Sequence, residues 1–480
     1  MAGDLLSTPQ AGPTAIRGGA LRVLSFAGGS LFAIVGGALL FRHLGVVDGG
    51  RYMTALSLSA IVTGFTDLGL TAIGMRELAT LGGAQRAQMA RTLLGIRLVV
   101  TLVGVLLMGA FAFAAYGTTL GIGVLVAGAG VLVANVQATL AVPLMAELRL
   151  GWVSALDFVR QVVGVLFIVV LVVAGATLLP FLAIPALAAA IVLVPTALLV
   201  RGDIPLRPSF DLGEWRALAG PVLTYSIAVA AATLYLRAAI IIVSLLASGH
   251  QLGLFSLGFR VVEVLLLVPG LLVGAAFPIF ARAARDDPAR LGYALSRVFE
   301  VSLIVGAWVA LALAIGAPLV VEIMGGRQFA AAAPVLAIQA VVLGATFVNA
   351  VWGYGMLSLH LHRTILALSF GLLAAVVVVV AVLVPIDGAR GAAIGTAAVE
   401  VVAAVVGGFL LVRGRPHLRP RLQIVPKVAL AAALGAAPAF ATELPVSLRV
   451  VLASLVYGAV LLALRAFPRE LDALLSRRPA

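Results

Sequence analysis

Residues 364–385 read TILALSFGLLAAVVVVVAVLVP, and after IDGAR the chain resumes at Gly391 with GAAIGTAAVEVVAAVVGGFLLV, ending at Val412. Glu400 is the one charged side chain in these two runs. Each is long enough for an α-helix to cross the ~30 Å hydrocarbon core with its backbone hydrogen bonds satisfied internally. The residues between them, Ile386 to Arg390, leave room for a short turn. Two spans joined at one face of a bilayer follow, and most of the chain repeats that pattern.

Composition says the same. Of 480 residues, 63% are hydrophobic and 11% charged, and the mean hydropathy is +1.19. A soluble domain carries about a quarter charged residues, so this chain cannot cover itself with a wettable surface. A cytosolic enzyme, a disordered chain and a nucleic-acid-binding domain are excluded as the whole protein. The net charge of +13 does not argue for nucleic acid, because the basic residues fall almost entirely between apolar runs. Cysteine is absent, which removes disulfides, thiolate metal sites and a cysteine nucleophile. Residues 1–19 are polar and small, lack the apolar core of a secretory signal, and are expected to be a cytoplasmic lead-in.

Fourteen apolar runs are expected as transmembrane helices of an all-α polytopic protein. They lie near 20–41, 52–74, 92–115, 120–145, 158–176, 180–200, 217–247, 253–280, 297–320, 333–359, 364–385, 391–412, 427–442 and 447–466. Gly175, Pro180, Pro185 and Pro195 are expected to break the stretch 158–200 into pieces. With the N-terminus inside, Arg and Lys crowd the connections of one face. The other face holds Arg42, Arg51, Arg327, Arg390 and Arg449. That asymmetry places both termini in the cytoplasm. No connection is long enough for a folded domain outside the membrane.

The two halves look alike. GVVDGGRYMTAL, beginning at Gly45, parallels GHQLGLFSLGF, beginning at Gly249, and aligning Gly50 with Gly253 also pairs the helix starting near 20 with that starting near 217. Repeats of this size are common in transporters, although apolar sequence also produces such matches by chance.

Three stretches carry a family resemblance. HLGVVDGGRYMTALSLSAIVTGFTDLGLTAIGMRELA (from His43) contains Gly50, Tyr52, Asp67, Leu68, Gly69, Leu70, Arg76 and Glu77. GLFSLGFRVVEVLLLVPGLLVGAAFPIFARAA (from Gly253) contains Arg260, Glu263, Pro269 and Pro278. FAAAAPVLAIQAVVLGATFVNAVWGYGMLSLHLHR (from Phe329) contains Pro334 and Asn349. In order and spacing they resemble the oligosaccharide flippases, the Wzx-like polysaccharide-transport branch of the multidrug/oligosaccharidyl-lipid/polysaccharide (MOP, MATE-like) exporters. The resemblance implies two pseudo-symmetric six-helix lobes, 20–200 and 217–412, joined by a cytoplasmic linker at 201–216. A basic loop at 413–426, two further helices within 427–466 and a cytoplasmic tail at 467–480 would follow. It implies alternating access that carries an undecaprenyl-pyrophosphate-linked oligosaccharide across a bacterial inner membrane, with a polymerase and glycosyltransferases as partners, and no cofactor.

Charges deep in a span face a cavity or a partner. At 1.5 Å per residue, Arg237 lies roughly 15 Å below the outer end of its helix, and Arg260 and Glu263 roughly 12 and 16 Å below theirs. One reading is a cationic patch for a pyrophosphate, which a guanidinium can hold through two parallel hydrogen bonds. Others are a self-neutralising pair of Glu263 with Arg237 or Arg260, and a coupling-ion site. Arg22 and Arg42, at the two ends of the first helix, either guide headgroups or anchor by snorkelling.

Glu400 lies at a comparable depth and is a further coupling candidate. Asp67 either titrates during coupling or joins Arg76 and Glu77 in an inner gate, the favoured reading. Glu300 is expected to pair with Arg297. Asn349, Tyr225 and Tyr235 could bond sugar hydroxyls or neighbouring helices.

No catalytic constellation, metal-ligand spacing or nucleotide loop occurs. The rival readings are a lipid II flippase, a multidrug exporter of the same superfamily and, from another class, a polysaccharide polymerase or ligase. The last would need a large outer loop that the spacing of the runs does not provide.

Overall fold

The computed structural model describes residues 11–67, 69–147, 149–441 and 443–466, with side chains from Gly28 onward except at 30–31, 217 and 219–229. The expected tail 467–480 lies outside the described residues. Among the described residues fourteen α-helices are defined: α1 (Ala11–Asp67), α2 (Leu70–Thr80), α3 (Gly83–Ala146), α4 (Leu150–Val173), α5 (Leu178–Val200), α6 (Leu212–Leu246), α7 (Gly249–Leu265), α8 (Leu267–Gly274), α9 (Phe277–Asp286), α10 (Pro288–Gly325), α11 (Ala333–Ser358), α12 (His362–Val412), α13 (Ile424–Gly435) and α14 (Val446–Ala463). No strand occurs among them.

These helices do not map one to one onto the expected spans. Nine helical stretches among the described residues are long and apolar enough to cross a membrane, and some hold more than one apolar run. The 64 residues of α3 would reach about 96 Å if straight, far beyond a bilayer. Instead the helix reverses at Gly117, whose φ of 77° suits a residue without Cβ. The two arms lie back to back: a Cβ on Gly109 would strike Leu125, one on Gly121 the ring of Phe113, and one on Gly128 the side chains of Val105 and Met108. The quoted pair 364–412 behaves alike. It forms α12, turning at Asp387–Gly388, with Gly395 against Val380.

Other runs are subdivided. The expected span 52–74 is cut at Gly69, where φ is 66° and α2 begins. The expected span 253–280 is cut into α7, α8 and α9 around Pro269 and Pro278, since proline has no N–H for the helical ladder. Conversely, Pro185 and Pro195 do not break 180–200: both lie inside α5, where neighbouring helices can re-satisfy the freed carbonyls. At its start, α1 already begins at Ala11, inside the expected lead-in.

By contact the chain forms two compact units, Met1–Leu44 with Arg51–Arg237, and Gly45–Gly50 with Ala238–Ala480. They divide within α6. In the first unit α3 is central, packing against α2, α4 and α5 around Leu78, Leu93, Leu140, Leu144 and Val192.

In the second unit α10, α11 and α12 pack together around Phe299, Val351, Trp352, Met356 and Leu411. There α14 docks on α10, the Tyr457 hydroxyl donating to the Ile304 carbonyl at 2.8 Å and Trp308 Nε1 to Ser454 Oγ at 3.0 Å. Large apolar side chains such as Leu107, Val173, Val378 and Phe409 are exposed, as helices bathed in lipid require.

Candidate functional site

In the first unit the polar atoms gather at the break between α1 and α2. Asp67 is the last residue of α1 and Thr71 belongs to the first turn of α2. The Thr71 hydroxyl donates to Asp67 Oδ1 at 2.7 Å. Arg97, from the first arm of α3, donates through Nη2 to the same carboxylate oxygen. It also donates to Thr71 Oγ1 at 3.2 Å and to Thr139 Oγ1 at 3.2 Å. From the second arm, Asn135 Nδ2 donates to Thr66 Oγ1 and to Thr101 Oγ1, both at 2.9 Å. Thr139 Oγ1 donates to the Asn135 carbonyl at 2.8 Å. Residues 97 and 101, and likewise 135 and 139, are four apart and so share a helix face.

Arg97 is only 3% exposed, whereas the Asp67 side chain keeps 30%. A guanidinium so placed needs a counter-charge and several acceptors, and this network supplies them from four helical runs. Sequence reasoning missed Arg97, counting it with the cytoplasmic connection that precedes its span. The available signal was its position inside the run 92–115.

The three residues of the favoured inner gate fall into two pairs. Asp67 bonds Arg97 and Thr71, while Arg76 bonds its neighbour Glu77 at 2.6 Å, on an exposed face of α2. The two pairs are separate because Asp67 points toward α3 and Arg76 toward solvent. The connection 201–216 is likewise more than a spacer: Glu214 accepts from Gln88 Nε2 at 2.7 Å and from Thr92 Oγ1, and Ser209 N donates to the Arg91 carbonyl at 2.9 Å.

Arg42 is exposed at the end of the first arm of α1, and Tyr235 and Arg237 are half-buried on α6. Arg22 and Tyr225 have side chains outside the described residues.

The second unit holds two joined pairs. On α7, Arg260 Nη1 donates to Glu263 Oε2 at 2.8 Å, both side chains roughly a quarter exposed. This is one of the self-neutralising pairs weighed from sequence. Between α11 and α12, Asn349 Nδ2 donates to Glu400 Oε2 at 2.6 Å and to the Glu400 carbonyl at 3.2 Å. A residue expected to touch sugar and one expected to couple are therefore directly bonded. Arg297 and Glu300 pair at 2.7 Å, as expected. A cavity of about 540 Å³ lies where Ser248 and Gln251 meet the α12 turn, with Asp387 and Arg390 on its wall. Among the described residues no cluster of His, Cys, Asp or Glu could hold a metal ion.

Long apolar helical stretches and helices that double back at Gly117 and at Asp387–Gly388 mark a multi-pass membrane protein. The chain belongs to the polysaccharide biosynthesis protein family, whose model matches residues 39–334. Among solved structures it is similar to lipid II flippase MurJ in its inward closed conformation, at 11% identity and TM-score 0.75 over 92% of this chain and 98% of that one. It also resembles an inward-facing multidrug resistance MATE family transporter of the MOP superfamily, at 16% identity and TM-score 0.61 over 82% and 97%. A third is the MATE multidrug transporter DinF-BH, at 18% identity and TM-score 0.60 over 86% and 98%. No curated protein sequence matches the chain. Identities this low speak for the fold alone.

Proposed function

We propose that the protein is a secondary transporter that flips undecaprenyl-pyrophosphate-linked oligosaccharide from the inner to the outer leaflet of a bacterial inner membrane, with both termini cytoplasmic. Its product would pass to a polysaccharide polymerase, and glycosyltransferases would supply its substrate. Membership in a polysaccharide biosynthesis family carries this reading.

Arg260 supplies its chemistry. A guanidinium has five N–H donors, and the bond to Glu263 uses one of them. The others would bind a phosphate, with Arg237 as a second cation and Arg22 and Arg42 guiding headgroups. Asn349, Tyr225 and Tyr235 would meet sugar hydroxyls. The driving force would be the membrane potential or an ion gradient acting on Asp67, Glu263 or Glu400, with Arg76 and Glu77 at a gate. One charge moved through 100 mV supplies about 2.3 kcal/mol.

An exporter of organic cations is favoured less, because such a cargo calls for acids along its path, whereas Arg237 and Arg260 are at least as prominent here as Asp67, Glu263 and Glu400. Purified protein in liposomes with a labelled polyprenyl-pyrophosphate oligosaccharide tests the proposal. Transfer of label between leaflets is expected. Joining of sugars without transfer would make it a polymerase or ligase, and transfer of lipid II alone would make it a lipid II flippase.

A further inference from the structure

The junction of α9 and α10 combines charges in a way the transport reading does not use. One face of α9 is inside, with Phe280 and Ala283 buried. The adjoining face carries Ile279, 51% exposed, then Arg282 and Asp286, spaced so that they follow one another along one side of the helix. Ahead of it, Leu267, Leu271 and Leu272 of α8 are exposed. Along the chain, the exposed side chains thus pass from apolar ones in α8 to charged ones in α9.

At its polar end a cleft of about 330 Å³ is lined by Pro278, Ile279, Arg282, Ala283, Asp286, Asp287 and Arg290. Arg282 and Arg290 form no ion pair among the described residues. Asp287 is engaged elsewhere, since its Oδ1 accepts from the N–H groups of Ala289 and Arg290 at 3.1 and 3.0 Å and caps α10. That leaves two guanidinium groups and the Asp286 carboxylate facing one small volume.

The geometry points to a binding site for a zwitterionic phospholipid with a primary ammonium headgroup, of the ethanolamine type. Arg282 and Arg290 hold the phosphodiester. Asp286 accepts from the ammonium, which has three N–H donors, and the acyl chains lie along Ile279 and the exposed leucines of α8. The lining carries two positive and two negative side chains, so an anionic lipid gains the arginines but meets Asp286 unpaired. A choline headgroup offers no N–H to Asp286. Inorganic phosphate lacks both the ammonium and the chains.

The full chain, purified and incubated with equal amounts of phosphatidylethanolamine, phosphatidylglycerol and phosphatidylcholine, tests this by native mass spectrometry of the retained lipid. Phosphatidylethanolamine is expected to be retained about two- to fivefold over the others, the scale of one exposed ion pair. Asp286→Asn is expected to abolish that preference while leaving total lipid unchanged. Arg282→Gln with Arg290→Gln is expected to lower retention of all three. These side chains are exposed, and an unchanged thermal midpoint verifies that each variant is folded. Equal or greater retention of phosphatidylglycerol, an unaltered preference in Asp286→Asn, or displacement of the lipid by inorganic phosphate would overturn the assignment. Flipping activity does not enter, so the site stands or falls separately from the proposed transport.

Discussion

Arg97 and Asp67 form an ion pair across the break between α1 and α2, with the guanidinium almost fully enclosed and the carboxylate partly open. Removing Asp67 leaves a buried guanidinium without its counter-charge, and removing Arg97 leaves the carboxylate, partly open, with Thr71 as a donor. Asp67→Leu or Arg97→Leu is therefore expected to cost about 3–5 kcal/mol, and the double replacement less than the sum of the two. Thermal unfolding of the four proteins in detergent gives the coupling directly. Strict additivity would mean that the pair contributes nothing as a pair.

Gly50 and Gly253, the residues aligned by the internal repeat, pack against each other. A Cβ on Gly50 would lie 2.8 Å from the backbone nitrogen of Gly253, and one on Gly253 would collide with the Val46 carbonyl. Gly253→Ala should sharply reduce folded protein recovered from membranes, because backbone cannot swing aside as a side chain can. Gly151→Ala, with nothing within 4 Å of the added methyl, should be neutral or stabilising by up to about 1 kcal/mol. Equal yields of the two variants would show that the close approach is dispensable.

Asn349 and Glu400 separate folding from transport. Glu400→Gln keeps an acceptor for Asn349 Nδ2 and should preserve protein level. If Glu400 senses the driving force, the same variant should lose the dependence of flipping on the imposed gradient. Asn349→Leu removes the Nδ2 donor to the carboxylate and should lower the thermal midpoint, by about 1–3 kcal/mol of stability.

For Arg237 and Arg260, alanine variants at matched protein levels should abolish export of surface polysaccharide. Arg260→Lys should retain part of it, since an ammonium binds phosphate as a point charge but lacks the planar fork. Normal export by both single variants and by the double variant would remove these residues from the substrate site.

Much of the architecture is legible without coordinates because bilayer solvation imposes a length and a polarity on each segment. The run 364–412 shows this: its turn is written in the residues between two apolar stretches, and α12 turns there. The cut at Gly69 was less visible, since DLGL is apolar enough to continue a helix, and the left-handed φ emerges only in the folded backbone. The site divides in the same way. Arg260 and Glu263 are three apart on one helix, so their pairing follows from helical geometry alone.

The partners of Asp67 and Glu400 do not follow from sequence. Arg97 is 30 residues from Asp67 and Asn349 is 51 from Glu400, so no local periodicity can join them. The order of residues alone establishes that this chain lives in lipid, where apolar runs must be helical and charges must be rare. Which of those few charges neutralise one another is set by packing, because only the docking of distant helices brings a buried guanidinium or carboxylate within hydrogen-bonding reach of its partner.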